Sequence, residues 1–139
     1  MKKLVIVATL LILTLALGAC GAPVATENAP APDISNLPAN MTAAQAQPLL
    51  GNPGVFWLDV REQSEFDAGH IPGITLIPTG EVANRLSEIP KDRPVIVTCR
   101  TGNRSAAVTK FLREQGYTNV HNMEGGIVAW QGAGYPVEK

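Results

Sequence analysis

A short apolar run that leads directly into a cysteine loop and then a helical segment is the feature that most constrains the fold of this chain. Residues 94–98 (PVIVT) are rich in β-branched side chains and begin with proline, which is typical of a buried strand. Residues 106–115 have helical spacing, with Val108, Phe111 and Leu112 on one face. Cys99 is therefore predicted to lie at a strand-to-helix connection, which is where parallel sheets bind ligands.

The loop at residues 99–105 (CRTGNRS) has the composition of a thiolate-stabilising anion cradle. A chain that turns between a strand and a helix can direct successive backbone N–H groups inward, with the positive end of the helix dipole behind them. Arg100 and Arg104 add positive charge to this loop. We therefore expect the pKa of Cys99 to lie below that of a free thiol, so that the nucleophilic thiolate is populated near neutral pH.

The N-terminal residues indicate export. Lys2 and Lys3 precede an uncharged, largely apolar run over residues 4–17, which is short for a membrane-spanning helix and has the pattern of a signal peptide over residues 1–19. Residues 17–20 (LGAC) resemble the lipobox of bacterial lipoproteins. That resemblance implies that Cys20 is acylated and anchors the mature chain to a membrane of the bacterial cell envelope. A plain cleavable signal and a retained anchor helix are the alternatives.

Composition divides the remainder of the chain. Residues 20–38 are rich in proline, alanine and small polar residues and are predicted to form a disordered, lipidated tether, whereas residues 39–139 have the length of one compact domain.

Without Lys2 and Lys3, the 11 basic residues fall to 9 against 12 acidic ones, a formal net charge of −3. Because the basic residues form no stripe, a nucleic-acid partner is not expected. With Cys20 committed to lipid, Cys99 is the remaining thiol, a pattern that favours a reactive role.

The pattern along the domain predicts an α/β fold with a mainly parallel central sheet and helices on both faces. Strands are expected at residues 55–58, 74–77, 95–98 and 120–123, and helices at residues 42–50, 81–89 and 106–115, with a last helix that opens at residues 125–126 and contains Ile127 and Trp130. Residues 62–68 are predicted to be a polar connection. Trp57, Phe111 and Trp130 lie within apolar elements and are expected in the core.

Four motifs of this domain resemble, in content and in order, those of a rhodanese domain. They are residues 59–62 (DVRE), 69–73 (GHIPG), 99–105 (CRTGNRS) and 125–130 (GGIVAW). The resemblance covers nearly all of residues 39–139 and implies a rhodanese-like fold and a sulfurtransferase that needs no metal or organic cofactor. The chain departs from the family pattern after Gly73, where Ile74 and Leu76 replace the common alanine and asparagine. This change is expected to affect which sulfur donor is preferred.

The resemblance also implies roles for individual residues. Cys99 matches the family's catalytic cysteine, which takes sulfane sulfur from thiosulfate or a related donor, holds it as a persulfide and passes it to a thiol or cyanide. Asp59 and Arg61 are expected to brace the site by hydrogen bonds. The residues expected to hold the anionic substrate or surround the persulfide are Arg100, Thr101, Gly102, Asn103, Arg104 and Ser105.

Two other functional classes remain open at this point. A cysteine phosphatase or arsenate reductase uses a similar cradle, but with five residues between cysteine and arginine, whereas four separate Cys99 from Arg104. A non-catalytic or sulfur-carrier binding module could share the fold, although it would not require the thiol for catalysis. His70 and His121 are not expected to bind a metal, since no further ligands surround them in the sequence, and His70 is interpreted as a turn residue.

Overall fold

The computed structural model describes residues 32–139, so the predicted signal peptide, Cys20 and most of the predicted tether lie outside the described residues. The strands are β1 (Asn40–Met41), β2 (Phe56–Asp59), β3 (Thr75–Leu76), β4 (Val95–Thr98) and β5 (Val120–Met123). The α-helices are α1 (Ala43–Ala46), α2 (Gln63–Asp67), α3 (Asn103–Glu114) and α4 (Gly126–Gly132). Short 3₁₀ turns occupy Gln47–Leu49, Val82–Asn84 and Leu86–Glu88.

The five strands form one sheet in the order β1-β5-β4-β2-β3, and every neighbouring pair is parallel. Central strand β4 is buried on both sides, because Ile96 faces one apolar cluster while Val95 and Val97 face the other. The cluster around Ile96 includes residues of α1 and α4, and the other includes residues of α3 and the two later 3₁₀ turns. The predicted α/β fold with both sheet faces covered is confirmed.

Several predicted elements change in extent. The strand predicted over residues 74–77 covers only Thr75–Leu76. The predicted helix over residues 81–89 is wrong. In its place stand two 3₁₀ turns, separated by Arg85, whose φ of −121° and ψ of 24° leave the helical region. The polar connection at residues 62–68 contains α2, which begins with a reciprocal capping box between Glu62 and Glu65.

The N-terminal side of the described region contacts the domain. Ile34 and Leu37, which belong to the predicted tether, pack against the cluster around Ile96. The carbonyl of Pro38 lies 2.8 Å from Nδ1 of buried His121. The packed residues therefore extend upstream of Ala39. Among the described residues, no helix is long and apolar enough to cross a membrane.

Candidate active site

Cys99 lies at the carboxyl edge of the sheet, immediately after β4, as predicted. Helix α3 begins at Asn103, three residues before the predicted start, because Gly102 turns the chain into the helix with a left-handed φ of 96°. Asn103, Arg104 and Ser105 therefore form the first turn of the helix. The positive end of the α3 dipole thus lies directly beside the cysteine loop.

The thiol of Cys99 is buried and has two hydrogen-bond donors, one from the backbone and one from a side chain. Only 1% of the residue is exposed. The backbone N–H of Gly102 donates to Sγ over 3.1 Å, and the hydroxyl of Ser105 lies 3.4 Å from Sγ. No other cysteine is found in residues 32–139.

The pKa of Cys99 reflects an opposition between burial and hydrogen bonding. Burial raises the pKa of this thiol, while the Ser105 hydroxyl and the backbone N–H groups of Ser105, Thr101 and Gly102 lower it. The hydrogen bonds outweigh burial, so the pKa lies below the ordinary value for cysteine. The site therefore favours the thiolate, through hydrogen-bond donors more than through the neighbouring arginines.

Helix α4 supports the loop from a second direction. The backbone N–H of Ile127 donates to the carbonyl of Cys99 over 2.9 Å, and that of Val128 donates to the carbonyl of Arg100 over 3.1 Å. This approach requires Gly126, whose φ is 54° and where a Cβ atom would come within 2.3 Å of the Cys99 carbonyl oxygen. The motif at residues 125–130 thus provides close backbone contact with the cysteine loop.

Arg104 is joined to α2. Its two terminal nitrogens donate to the two carboxylate oxygens of Glu65, each over 2.7 Å, in a bidentate ion pair. The hydrogen bond from Arg104 lowers the pKa of Glu65 to about 2. Arg104 therefore links the first turn of α3 to α2, while no hydrogen bond among the described residues joins it to Cys99. Sequence reasoning missed Glu65, although its capping-box spacing from Glu62 is a signal for α2.

Asp59 and Arg61 form a buried ion pair, with 0% and 4% of the residues exposed. Arg61 also donates to the carbonyl oxygens of Glu65 and Gly69, over 3.0 and 2.9 Å. These bonds connect the end of β2 with α2 and the turn after it. The pair therefore braces α2, and through the contact between Glu65 and Arg104 it reaches the cysteine loop indirectly.

The other loop residues predicted for the site line two separate cavities. Arg100 is exposed and lines a cavity of about 330 Å³. The other residues that line this cavity are Arg61, Glu65, Ala68, Gly69, Ile127, Val128 and Gln131. Thr101, Gly102 and Asn103 line a separate cavity of about 280 Å³ together with Asn40, Asn122 and Glu124. Arg100 is thus the loop arginine placed at the opening between α2 and α4.

The two histidines occupy other positions. His70 stacks on Phe66 with ring centroids 3.7 Å apart, and His121 lies 2.6 Å from Asn119 Oδ1 through its Nε2 atom. Neither has a hydrogen bond to Cys99. Within residues 32–139, no group of three or more His, Cys, Asp or Glu side chains is arranged to hold a metal ion.

Comparison with known proteins settles the family. The rhodanese-like domain model matches residues 42–133, a span that includes every element from α1 to α4. The chain belongs to the rhodanese family. The fold expected from the four sequence motifs is therefore confirmed, and Cys99 occupies the loop that carries the third of those motifs.

Two curated relatives and one solved structure illustrate the similarity to other rhodaneses. A protein of Allochromatium vinosum named sulfurtransferase is 40% identical over 66% of this chain and 86% of the relative. Thiosulfate sulfurtransferase GlpE of Pseudoalteromonas translucida is 34% identical over 68% of this chain and 90% of the relative. The crystal structure of a rhodanese-related protein from Thermoplasma volcanium has a TM-score of 0.66 and 35% identity, covering 71% of this chain and 96% of that one.

Proposed function

We propose that this rhodanese is a sulfurtransferase that moves sulfane sulfur from a small anionic donor such as thiosulfate to a thiol or cyanide acceptor through a persulfide on Cys99. The observation that carries the proposal is the placement of the Gly102 N–H and the Ser105 hydroxyl on Sγ, at a helix N-terminus. This arrangement favours a thiolate nucleophile. The names of the two curated relatives add support for the reaction class.

The reaction divides into loading and discharge. In loading, the Cys99 thiolate attacks the outer sulfur of thiosulfate, a bond forms between Sγ and that sulfur, and sulfite leaves with the electron pair of the broken bond. In discharge, the acceptor anion attacks the outer sulfur of the persulfide, and the pair of the breaking S–S bond returns to Sγ. In both steps an anionic sulfur has to be stabilised in the loop, and backbone N–H groups that point inward provide this stabilisation.

The cavity beside Arg100 is the proposed entrance for the donor and the acceptor. It lies between α2 and α4, next to the loop backbone that contacts Ile127 and Val128. Arg100 brings an exposed positive charge to this opening, which attracts an anionic donor. Arg61 also lines it, but its guanidinium is already bonded to Asp59 and to two carbonyl oxygens.

Thiocyanate formation tests this proposal directly. The purified protein should convert thiosulfate and cyanide to thiocyanate, and mass spectrometry after treatment with thiosulfate should find one added sulfur atom on Cys99. The Cys99→Ser variant should lose both results. The same preparations should show negligible hydrolysis of aryl phosphates, because the loop has four residues between Cys99 and Arg104 and is short for a tetrahedral phosphate. Cys99-dependent phosphatase turnover with no sulfur transfer from any sulfane donor would refute the proposal.

We also propose, from the N-terminal sequence, that the protein is exported and anchored by lipid on Cys20 to a membrane of the bacterial cell envelope. The support is the basic start, the apolar run and the small residues before Cys20. Sulfur transfer would then take place at the membrane surface, with small donors and acceptors supplied from the surrounding compartment.

A further inference from the structure

We propose that the Ser105 hydroxyl is a catalytic group for one half of the reaction, namely the discharge of the persulfide, in which it stabilises Sγ of Cys99 as the leaving thiolate. The inference rests on the proposed sulfur transfer and assigns a role within it. The Ser105 hydroxyl has two possible hydrogen-bond acceptors, Sγ of Cys99 and the carbonyl oxygen of Gly102. Which of them is the stronger acceptor depends on whether Sγ carries negative charge.

The hydroxyl of Ser105 lies within hydrogen-bond distance of two acceptors. Its oxygen lies 3.0 Å from the carbonyl oxygen of Gly102 and 3.4 Å from Sγ of Cys99. A serine hydroxyl has one proton and can donate to only one of these at a time. Ser105 is fully buried, so water does not offer a third partner. The charge on Sγ therefore decides where the proton points.

The two half-reactions move charge in opposite directions with respect to Sγ. Loading shifts the negative charge from Sγ to the outer sulfur of the persulfide, which leaves the carbonyl of Gly102 as the better acceptor for the hydroxyl. Discharge returns an electron pair to Sγ while the acceptor anion bonds to the outer sulfur. The hydroxyl then turns to Sγ and donates to the developing thiolate, without any net transfer of a proton.

Thiol–disulfide chemistry predicts how each step responds to this donor. A sulfur leaves faster when its thiol has a lower pKa, whereas a thiolate of lower pKa is intrinsically a weaker nucleophile. A hydrogen bond directed at Sγ thus accelerates discharge, in which Sγ leaves, and gives no advantage to loading once Cys99 is ionised. Loss of the hydroxyl should slow one half-reaction selectively.

Single-turnover kinetics on full-length Ser105→Ala tests this role. At a pH high enough to ionise Cys99 fully, loading is followed by sulfite release from thiosulfate, and discharge is followed by thiocyanate formation from the isolated persulfide and cyanide. We expect discharge to slow about tenfold, toward the lower end of the effect of a hydrogen bond to a charged group, and loading to be unchanged or slightly faster. The pH profile of iodoacetamide alkylation should move to higher pH.

Thr109→Val provides the matched control. Thr109 is buried on the same helix and its hydroxyl donates to the backbone carbonyl of Ser105 over 2.7 Å, but it does not contact Sγ. This variant should keep both rates and the alkylation profile of the wild-type protein. Ser105→Thr, which retains a hydroxyl, should recover most of the discharge rate lost in Ser105→Ala.

The outcomes separate this inference from the proposed function. If the wild-type protein loads and discharges sulfur but Ser105→Ala discharges it at the wild-type rate, the role of Ser105 is refuted while sulfur transfer stands. Equal slowing of loading and discharge in a variant with wild-type thermal stability also refutes the selective role. If the wild-type protein takes up no sulfur from any sulfane donor, the proposed function fails and the inference fails with it.

Discussion

Gly126 offers the sharpest test of how α4 supports the cysteine loop. Its φ of 54° lies in the left-handed region, and an added Cβ atom would come within 2.3 Å of the carbonyl oxygen of Cys99 and 2.6 Å of the carbonyl carbon of Arg100. These neighbours are backbone atoms, so rotation of a side chain cannot relieve the overlap. Gly126→Ala should therefore force the α4 backbone and the cysteine loop apart.

Two costs contribute to the expected loss of stability. A residue with a Cβ atom pays roughly 1–2 kcal/mol in the left-handed conformation. Overpacking that shifts a backbone costs about 1–3 kcal/mol more. The sum, about 2–5 kcal/mol, is a large part of the 5–15 kcal/mol by which a domain is typically stable. The hydrogen bond from the Ile127 N–H to the Cys99 carbonyl should also be strained, which disturbs the loop around Sγ.

Urea unfolding and alkylation of Cys99 measure the two consequences. Gly126→Ala should unfold at a lower urea concentration with an unchanged slope, and its alkylation by iodoacetamide should require higher pH than in the wild-type protein. Gly132→Ala is the control in the same helix. Apart from its chain neighbours and the backbone of its own helix, no atom lies within 4 Å of the added Cβ there, and the substitution should stabilise the protein by about 0.4–1 kcal/mol. A Gly126→Ala variant with wild-type stability and alkylation profile would refute the close approach.

Four further predictions address the site and the N-terminus. Alkylation of wild-type Cys99 should have its midpoint at a pH below about 8.5, the pKa of a free thiol. A midpoint at that pH would contradict the prediction that the loop stabilises the thiolate. Arg104→Ala and Glu65→Gln should lower kcat/KM to the same degree, by at most about fivefold, because a partly exposed ion pair is worth up to about 1 kcal/mol. A loss confined to Arg104→Ala would instead indicate direct contact with substrate. Since the pKa of Glu65 falls from its ordinary value of 4.5 to about 2 in the folded state, the ionised carboxylate stabilises the fold fully above pH 4.5, and this contribution disappears as the pH falls toward 2. Wild-type and Glu65→Gln proteins should therefore differ in urea midpoint at neutral pH and converge in acid, and a constant difference would argue against the ion pair. Cys20→Ser should release the mature protein from the membrane fraction or block its processing, whereas correct cleavage with unchanged fractionation would point to an anchor other than lipid.

The sequence alone determined the elements whose signals are local. The β-branched run at residues 95–98 and the helical spacing that follows it are each read within a few neighbouring residues, and both are present in the structure. Burial of β4 on both faces follows from an apolar run with no polar alternation. Cys99 at the carboxyl edge follows in turn, because a residue after a parallel strand lies at that edge whatever the remaining packing.

Contacts between distant residues were decided only by the tertiary structure. Glu65 and Arg104 are separated by 39 positions, and no local pattern states that one carboxylate will take both terminal nitrogens of that guanidinium. Strand β1 has two residues and exists through its pairing with β5, so it carries no periodic signal of its own. The glycines at residues 125–126 indicate a turn, but the need for Gly126 comes from the carbonyl of Cys99, which the fold brings against it. Local propensity selects strands and helices, whereas the choice of partner for each charge and each close backbone contact depends on how those elements pack.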